Sequence, residues 1–320
     1  QYDIGQQGTI GVTSTYRESS DYHNTVLSVD GSCWFNQSDT LNYQIAHADT
    51  NNSQFLVDNY NLADTQSDMA YALKLTRDKR DYKLYATYDN IGEDYRTDLG
   101  YQEKVDYEKV GFGGGQTWYG DEHDMLTTWS YTADWDKTWA QNGELLEEEY
   151  EGYMTFQGQK QSVFELGLLN CYENYNGNFY NQNIDYLYTA FRPTKDLRLS
   201  LYAEYASRID YTNEQLGDVL TTQPQAVWDI NNHWQVDVRH NYSHLYDYQG
   251  RRVFTANLVD FRLYYKFSMR AMLKLILQFE DIDRNEDAYF YQVSEINKDY
   301  GSQLVYSYKI NAQTLFYLGY

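Results

Sequence analysis

One segment of the chain spaces oxygen-bearing side chains for a hard cation, at Asp281, Asp283, Asn285 and Asp287. Calcium-binding loops use alternate spacing because Ca²⁺ prefers several oxygen ligands. The segment departs from their pattern, since Glu286 replaces the usual glycine and Gln292 stands at the twelfth position. We expect either a calcium site or a solvated acidic loop here, and no other cofactor.

Other residue types that carry chemistry are not spaced for it. The run Gly111-Phe112-Gly113-Gly114-Gly115 lacks the Lys-Ser/Thr of a phosphate loop. It lies in a strand pattern, where glycine usually lets another group approach closely. His240 and His244 would be roughly 13 Å apart on a strand, too far to bind one ion. Because no Ser-His-Asp arrangement stands out either, we expect no enzyme.

The chain is strongly acidic, with a formal net charge of -22 over 320 residues. This excludes nucleic acid as a partner, because nucleic-acid binding needs Lys and Arg to neutralise phosphates. We expect the acidic run 144–151 to mark a loop and the water-facing end of a strand, or to bridge divalent cations to lipopolysaccharide. Cys33 and Cys171 either stay unpaired or form the disulfide that an oxidising compartment permits.

Apolar and polar side chains alternate with a period of two along the whole chain, which predicts β-strands. In 195–208, Leu197, Leu199 and Leu201 share one face, while Arg198 and Glu204 share the other. Charges recur on the second face in strand after strand, as a water-filled lumen allows. The predicted lumen-lining residues are Lys83, Arg198, Glu204, Asp237, Arg239, Asp260, Arg262, Lys266, Lys274 and Glu280. They could bind a polar solute or a plug domain, or pair with one another.

The aromatic content indicates the class of protein. The chain has 36 Tyr, 13 Phe and 7 Trp, although its mean hydropathy is only -0.76. Tyr and Trp favour places where one end of the ring is dry and the other wet, such as the two girdles of an outer-membrane barrel. No apolar run is long enough for a transmembrane helix. We therefore expect an all-β, antiparallel up-and-down transmembrane β-barrel in the bacterial outer membrane, in contact with lipid and lipopolysaccharide. The alternative is a soluble sandwich.

About 17 strands are predicted, and their apolar runs of about ten residues suit tilted membrane strands better than soluble ones. Short and long connections are expected to alternate, as periplasmic turns and extracellular loops do. The predicted strands are 7–17, 24–35, 39–49, 67–77, 81–90, 104–118, 123–136, 145–156, 161–173, 180–191, 195–208, 218–230, 233–246, 252–268, 271–283, 299–309 and 312–320. The predicted longer connections are 17–23, 49–66, 91–103, 136–144, 173–180, 209–217, 247–251 and 283–298.

We expect residues 1–320 to form a single barrel domain that is truncated at both ends. Bacterial single-chain barrels usually have an even strand count, so an odd count predicts a missing strand and 18 or more in the complete protein. The alternative is that Tyr320 is the true C-terminus, since Thr314, Phe316, Leu318 and Tyr320 suit an aromatic-ended assembly signal.

Three stretches resemble one family of predicted outer-membrane proteins. They are the early segment with Asp3-Ile4-Gly5, Gly11-Val12 and Ser28-Val29-Asp30-Gly31, the segment 88–106, and the late segment 301–320. Members of that family carry an N-terminal domain like carbohydrate-binding-module family nine, followed by a large barrel domain of unknown function. The resemblance implies that such a domain and some strands are absent here. It implies glycan handling by analogy only, and it supplies no catalytic residues.

Two functions follow from these patterns. The first is a porin-like channel or transporter for a polar solute, such as an oligosaccharide, with acidic extracellular loops at its mouth. The second is a structural or partner-binding barrel that anchors a periplasmic or surface domain, or acts in a surface or secretion complex, with its lumen plugged.

Overall fold

A computed structural model describes residues 2–5, 7–121 and 123–320, and strands dominate it. The helix α1 spans Gln54–Tyr60, and two short 3-10 turns lie at Gln159–Gln161 and Glu286–Ala288. The strands are β1 (Tyr2–Asp3), β2 (Gly8–Ser19), β3 (Tyr22–Trp34), β4 (Asp39–Asn51), β5 (Thr65–Asp78), β6 (Tyr82–Ile91), β7 (Tyr107–Tyr119), β8 (Leu126–Trp139), β9 (Leu145–Gly158), β10 (Ser162–Tyr175), β11 (Asn178–Thr194), β12 (Leu197–Asp210), β13 (Gln215–Asp229), β14 (Trp234–Asp247), β15 (Arg252–Lys266), β16 (Ala271–Arg284), β17 (Ile296–Lys309) and β18 (Leu315–Gly319).

All 18 strands belong to one sheet, in which each strand pairs with the next along the chain. The pairs whose register is resolved are antiparallel; β12 and β13, for example, pair without a break from Leu197↔Trp228 to Asp210↔Gln215. The chain divides into two compact units. The first unit comprises Gln1–Thr117, Thr132–Glu151 and Cys171–Phe179, and the second comprises Trp118–Tyr131, Gly152–Asn170 and Tyr180–Tyr320.

The predicted strands correspond one to one with β2–β18, and the two-residue β1 is the addition. The expected alternation of short and long connections is confirmed only in part, since the three long connections all fall at predicted long positions. Most of the predicted longer connections are tight: 17–23 reduces to the turn 20–21, and 173–180 to the turn 176–177. Long connections occur at 52–64, 92–106 and 285–295 only, within the described residues. The strands extend past the apolar pattern because backbone pairing continues in water, where side chains need not alternate.

The two faces of the sheet differ sharply in the second unit. Residues that are register partners across β12–β16 lie side by side on one face. One row reads Ser200, Gln225, Arg239, Asp260 and Gln278, and the adjacent row on the opposite face reads Leu199, Ala226, Val238, Phe261 and Leu277. We call these the polar face and the apolar face.

The first unit shows the same division. Across β3–β7, one row reads Asp30, Gln44, Ala72, Asp89 and Lys109, while a row on the opposite face reads Cys33, Leu41, Leu75, Ala86 and Phe112. Apolar side chains on this second face are largely exposed; Phe112 is 54% and Leu84 is 53% exposed to solvent. A water-soluble sheet would cover such residues, so this face is suited to lipid.

Aromatic rings gather at one end of the apolar face of the second unit. Trp118 stacks on Trp129 with ring centroids 3.9 Å apart, and Trp129 stacks on Phe156 at 6.4 Å. Further along the sheet, Tyr265 contacts Trp234 at 4.5 Å and Phe267 at 4.6 Å. These rings lie near the tight connections, where the girdle of a membrane barrel is expected.

Candidate binding surface on the polar face

The register gathers the predicted lumen-lining residues on one face. In the second unit, all of those predicted there lie on the polar face: Arg198, Glu204, Asp237, Arg239, Asp260, Arg262, Lys266, Lys274 and Glu280. Lys83 lies on the polar face of the first unit, where its Nζ is 3.5 Å from Asp78. That this face lines a lumen stays a prediction.

Several charges on the polar face neutralise one another, as one of the two sequence interpretations proposed. Asp260 accepts hydrogen bonds from Arg262 Nε at 2.7 Å and from Gln278 Nε2 at 2.9 Å. Glu204 is buried and accepts from Arg208 Nε at 2.9 Å. Both carboxylates have cationic partners, so the free-energy cost of desolvating them is offset. These ion pairs also hold the side chains of the polar face in place.

A row of tyrosines crosses the polar face of the second unit. Tyr186 lies between Tyr153 and Tyr202, with ring centroids 6.0 Å and 5.6 Å away. The Tyr186 hydroxyl donates to Glu165 at 2.8 Å, and the Tyr202 hydroxyl donates to Glu204. Because these hydrogen bonds hold the hydroxyls of Tyr186 and Tyr202, the two rings keep a fixed orientation on the polar face. These tyrosines were not among the predicted lumen-lining residues, because the hydropathy of tyrosine alone does not separate a residue of the polar face from a residue of the aromatic girdle.

Gly167 is the signal that could have found this row. A Cβ atom on Gly167 would lie 2.2 Å from Tyr186 Cε1, so the ring lies flat against the bare backbone of β10. The same arrangement recurs in the first unit, where a Cβ on Gly113 would lie 2.4 Å from Tyr85 Cζ. The sequence interpretation that the strand glycines admit a neighbouring group is therefore confirmed at Gly113.

Next to the tyrosine row, the polar face forms a recess of about 290 Å³. Its lining comprises Tyr188, Arg198, Ser200, Tyr202, Gln223, Gln225, Val227 and Arg239. Gln225 donates a hydrogen bond to Asp237 on β14 at 2.8 Å, so this carboxylate already has a partner. The lining therefore combines aromatic rings, amides and two guanidinium groups.

In the first unit, the connection 92–106 folds over the polar face. Tyr95 is buried against small and branched residues of that face: Val26, Ala46, Ala48 and Ala70. Asn24 donates from Nδ2 to the carbonyl of Arg96 and accepts from the amide of Asp98. Burial raises the pKa of Tyr95. This inward fold was not predicted.

Asp98 anchors that connection. It accepts from Arg17 at 3.1 Å and from Arg96 at 3.0 Å, as well as from the Tyr22 hydroxyl. Burial by itself would raise the pKa of Asp98, but the hydrogen bonds from Tyr22 and Arg96 outweigh it. Its pKa is therefore below the ordinary value.

The connection 285–295 likewise folds inward in the second unit. Ala288 is buried with Leu245 and Val253, and Tyr289 packs against this cluster. The main chain is tied down as well, because Arg251 donates to the carbonyl of Asp287 at 3.1 Å. Each unit thus covers part of its own polar face with a long connection.

The acidic run 144–151 lies at the start of a strand, in agreement with the predicted strand 145–156 and with the expected water-facing strand end. The loop part of that expectation is limited to Glu144. Strand β9 begins at Leu145, so most of the run is paired backbone, comprising Glu147, Glu148, Glu149 and Glu151 together with Glu144 just before it. Glu148 points away from its neighbours and accepts from Trp135 and Lys137, each at 3.0 Å.

The predicted calcium ligands do not come together. Asp281 pairs with Lys298 at 3.1 Å, Asp283 pairs with Arg252 at 3.0 Å, and Asn285 donates to the carbonyl of Arg252. The backbone carbonyl of Asp287 accepts a hydrogen bond from Arg251. Among the described residues, no group of three or more His, Cys, Asp or Glu side chains is placed to hold a metal ion. Cys33 and Cys171 are both free thiols.

The strand order and the two contrasting faces define the class of protein. The chain is an all-β, antiparallel up-and-down β-barrel of the bacterial outer-membrane type, since a lipid-facing backbone must be fully paired and its outer side chains apolar. Among the described residues, no helix has the length and apolar character needed to cross a membrane.

No family model matches the chain, and no curated protein matches it. Among solved structures, it is similar to the siderophore receptor PirA from Acinetobacter baumannii, with 10% identity over 99% of this chain and 71% of that one, and a TM-score of 0.49. It is also similar to OmpT, an outer membrane protein of Vibrio cholerae, with 11% identity over 92% and 94% of the chains and a TM-score of 0.45. A third similar structure is an anion-selective porin from Comamonas acidovorans, with 9% identity over 93% and 98% and a TM-score of 0.47.

Proposed function

We propose that this barrel is a channel or transporter for a polar solute of the saccharide class. The observation that carries the proposal is the tyrosine row Tyr153, Tyr186 and Tyr202 on the polar face. An aromatic ring offers a dry face to the C–H surface of a sugar, while the edge of the site stays wet. A series of such rings lets a saccharide move from one to the next without full desolvation.

The recess beside the row supplies the polar part of such a site. Ser200, Gln223 and Gln225 bring hydroxyl and amide groups that pair with sugar hydroxyls. Small-molecule sites usually combine apolar surface with a few polar groups that fix orientation. The resemblance to a family with a carbohydrate-binding-type domain supports the same substrate class.

The second function, a partner-binding barrel with a plugged lumen, has one observation in its favour. The connections 92–106 and 285–295 each cover part of the polar face of their own unit. A wall that is already covered leaves less room for a solute. Conductance separates the two functions, because a plugged barrel passes no current.

The test uses the full-length protein in planar lipid bilayers, with maltotriose as the probe. We expect ion conductance that maltotriose blocks. Tyr186→Ala and Tyr202→Ala should each weaken the block by about two- to tenfold, since an aromatic contact contributes about 0.5–1.5 kcal/mol.

Tyr205→Ala is the matched control. Tyr205 lies on the same strand as Tyr202 but on the apolar face, and it is 56% exposed. This variant should leave the block unchanged. A protein that inserts into the bilayer but passes neither ions nor solute would contradict the channel function and favour the plugged barrel.

A further inference from the structure

Arg198 and Arg239 lie together in the recess of the second unit. Arg198 is on β12 and Arg239 is on β14, so two inter-strand spacings of about 4.8 Å separate their strands. The register offsets them by two residues along the intervening β13, where Arg198 faces Val227 and Arg239 faces Gln225. Both side chains reach from opposite sides over β13 into one recess.

Their guanidinium groups differ from the other arginines of this wall. Arg208 is paired with Glu204, and Arg262 is paired with Asp260. Arg198 and Arg239 make no ion pair within the described part of the chain. Arg239 lies near Asp260, but that carboxylate already accepts from both Arg262 and Gln278. Two cationic donors without an ion pair therefore line the same recess.

The rest of the lining narrows the kind of anion. A bare inorganic ion needs no aromatic surface, yet the rings of Tyr188 and Tyr202 line the same recess. Gln223 and Ser200 add groups that match hydroxyls. A guanidinium pairs with a carboxylate through two parallel hydrogen bonds, which fixes the orientation of the group it holds.

We propose that this recess is a binding subsite for an acidic saccharide, with Arg198 and Arg239 holding the carboxylate of a uronate unit and the tyrosines stacking on its ring. The inference rests on the proposed transport function and specifies its substrate class. It also explains why Arg198 and Arg239 lie here without ion pairs. The net charge of the chain is -22, and this charge would otherwise repel an acidic solute.

The experiment measures block of single-channel current by two probes of equal length, trigalacturonate and maltotriose, with acetate as a small-anion control. The unaltered protein should bind trigalacturonate at least about tenfold more tightly than maltotriose, and acetate should not block. In Arg198→Gln, Arg239→Gln and the double variant, this preference should fall progressively, by about tenfold for a single substitution, with a smaller loss of maltotriose block than of trigalacturonate block. Arg270→Gln, in a tight connection of the same unit, should keep the preference.

Each alternative outcome is distinct. Conductance with equal block by the two trisaccharides would overturn the uronate subsite and leave the saccharide channel standing. Acetate block comparable to that of trigalacturonate would overturn it too, because the site would then be a simple anion site. An equal loss of both blocks in the arginine variants would mean that the arginines only shape the recess. Absence of conductance and solute flux would remove the proposed function itself.

Discussion

Single residues decide how the rings of the polar face are held. Tyr186 lies flat because Gly167 has no side chain, and its hydroxyl is tied to Glu165. Glu165 in turn accepts from Thr155 Oγ1 at 2.9 Å. The chain Thr155, Glu165 and Tyr186 crosses three strands, so the ring position is set by polar contacts on one side and by a missing Cβ on the other.

Gly167→Val should therefore displace Tyr186 from the wall. We expect the maltotriose block to weaken several-fold, because the ring loses its contacts with Tyr153 and Tyr202, which are worth about 0.5–1.5 kcal/mol each. The measurement is concentration-dependent current block in bilayers.

The control for this substitution is Gly152→Val, since a Cβ on Gly152 meets nothing within 4 Å. Valine suits a strand, so this variant should fold as well as the original protein and keep the block. If both valine variants behave alike, the position of Tyr186 does not depend on the space at Gly167.

At the scale of elements, the connection 92–106 acts as a cover fastened to β2 and β3. Its fastening is electrostatic at Asp98 and apolar at Tyr95. The alanines beneath Tyr95 explain an irregularity of the polar face, where Ala46, Ala48 and Ala70 replace the polar residues found elsewhere. Small residues leave room for the connection, which covers this part of the polar face in place of solvent.

Acid should loosen this cover. The pKa of Asp98 in the fold is below that of an unfolded aspartate, about 3.9. Its contribution is thus fully present above that value and is lost as the pH falls through the lower folded value. The amides in 92–106 should stay protected from hydrogen exchange between about pH 5 and 8, and their protection should fall in more acidic solution as Asp98 becomes protonated.

Asp98→Asn should make these amides exchange faster even at neutral pH, because the partners Arg17 and Arg96 lose their shared carboxylate. Glu103→Gln removes a charge from the same connection at an exposed position and should leave the exchange unchanged. Equal exchange in the two variants would show that Asp98 does not hold the connection.

The sequence predicted the repeating part of this architecture and missed the parts that depend on distant pairs. Leu197, Leu199 and Leu201 reveal their strand by alternation alone, because lipid and water impose a period of two. No such rule links Arg17 to Asp98, or Gly167 to Tyr186, since each pair joins segments far apart in the chain. The run 144–151 follows the same rule, and the strand predicted there, 145–156, begins at the same residue as β9 despite its charges.

For the whole molecule, the two faces predict different losses of stability when an arginine is introduced. Leu277→Arg places a guanidinium on the apolar face, where about 2–4 kcal/mol of unfolding free energy should be lost at the membrane midplane. Ile276→Arg places the same group one residue away on the polar face and should cost far less. Denaturant titration of the protein in lipid vesicles measures both.

Similar losses from the two arginine variants would contradict the assignment of the faces. The two positions are adjacent on one strand and differ in the face to which they belong, with Leu277 exposed on the apolar face and Ile276 half-buried on the polar face.

Pairing of every strand with its successor in the chain has a kinetic consequence. A ladder between two successive strands can form as soon as both segments are present, and only the closing of the barrel has to wait for distant segments. The entropy lost on joining two ends grows only with the logarithm of the span, and the longest connection between successive strands is 92–106. Assembly can therefore proceed hairpin by hairpin, in the order in which the chain is delivered to the bilayer.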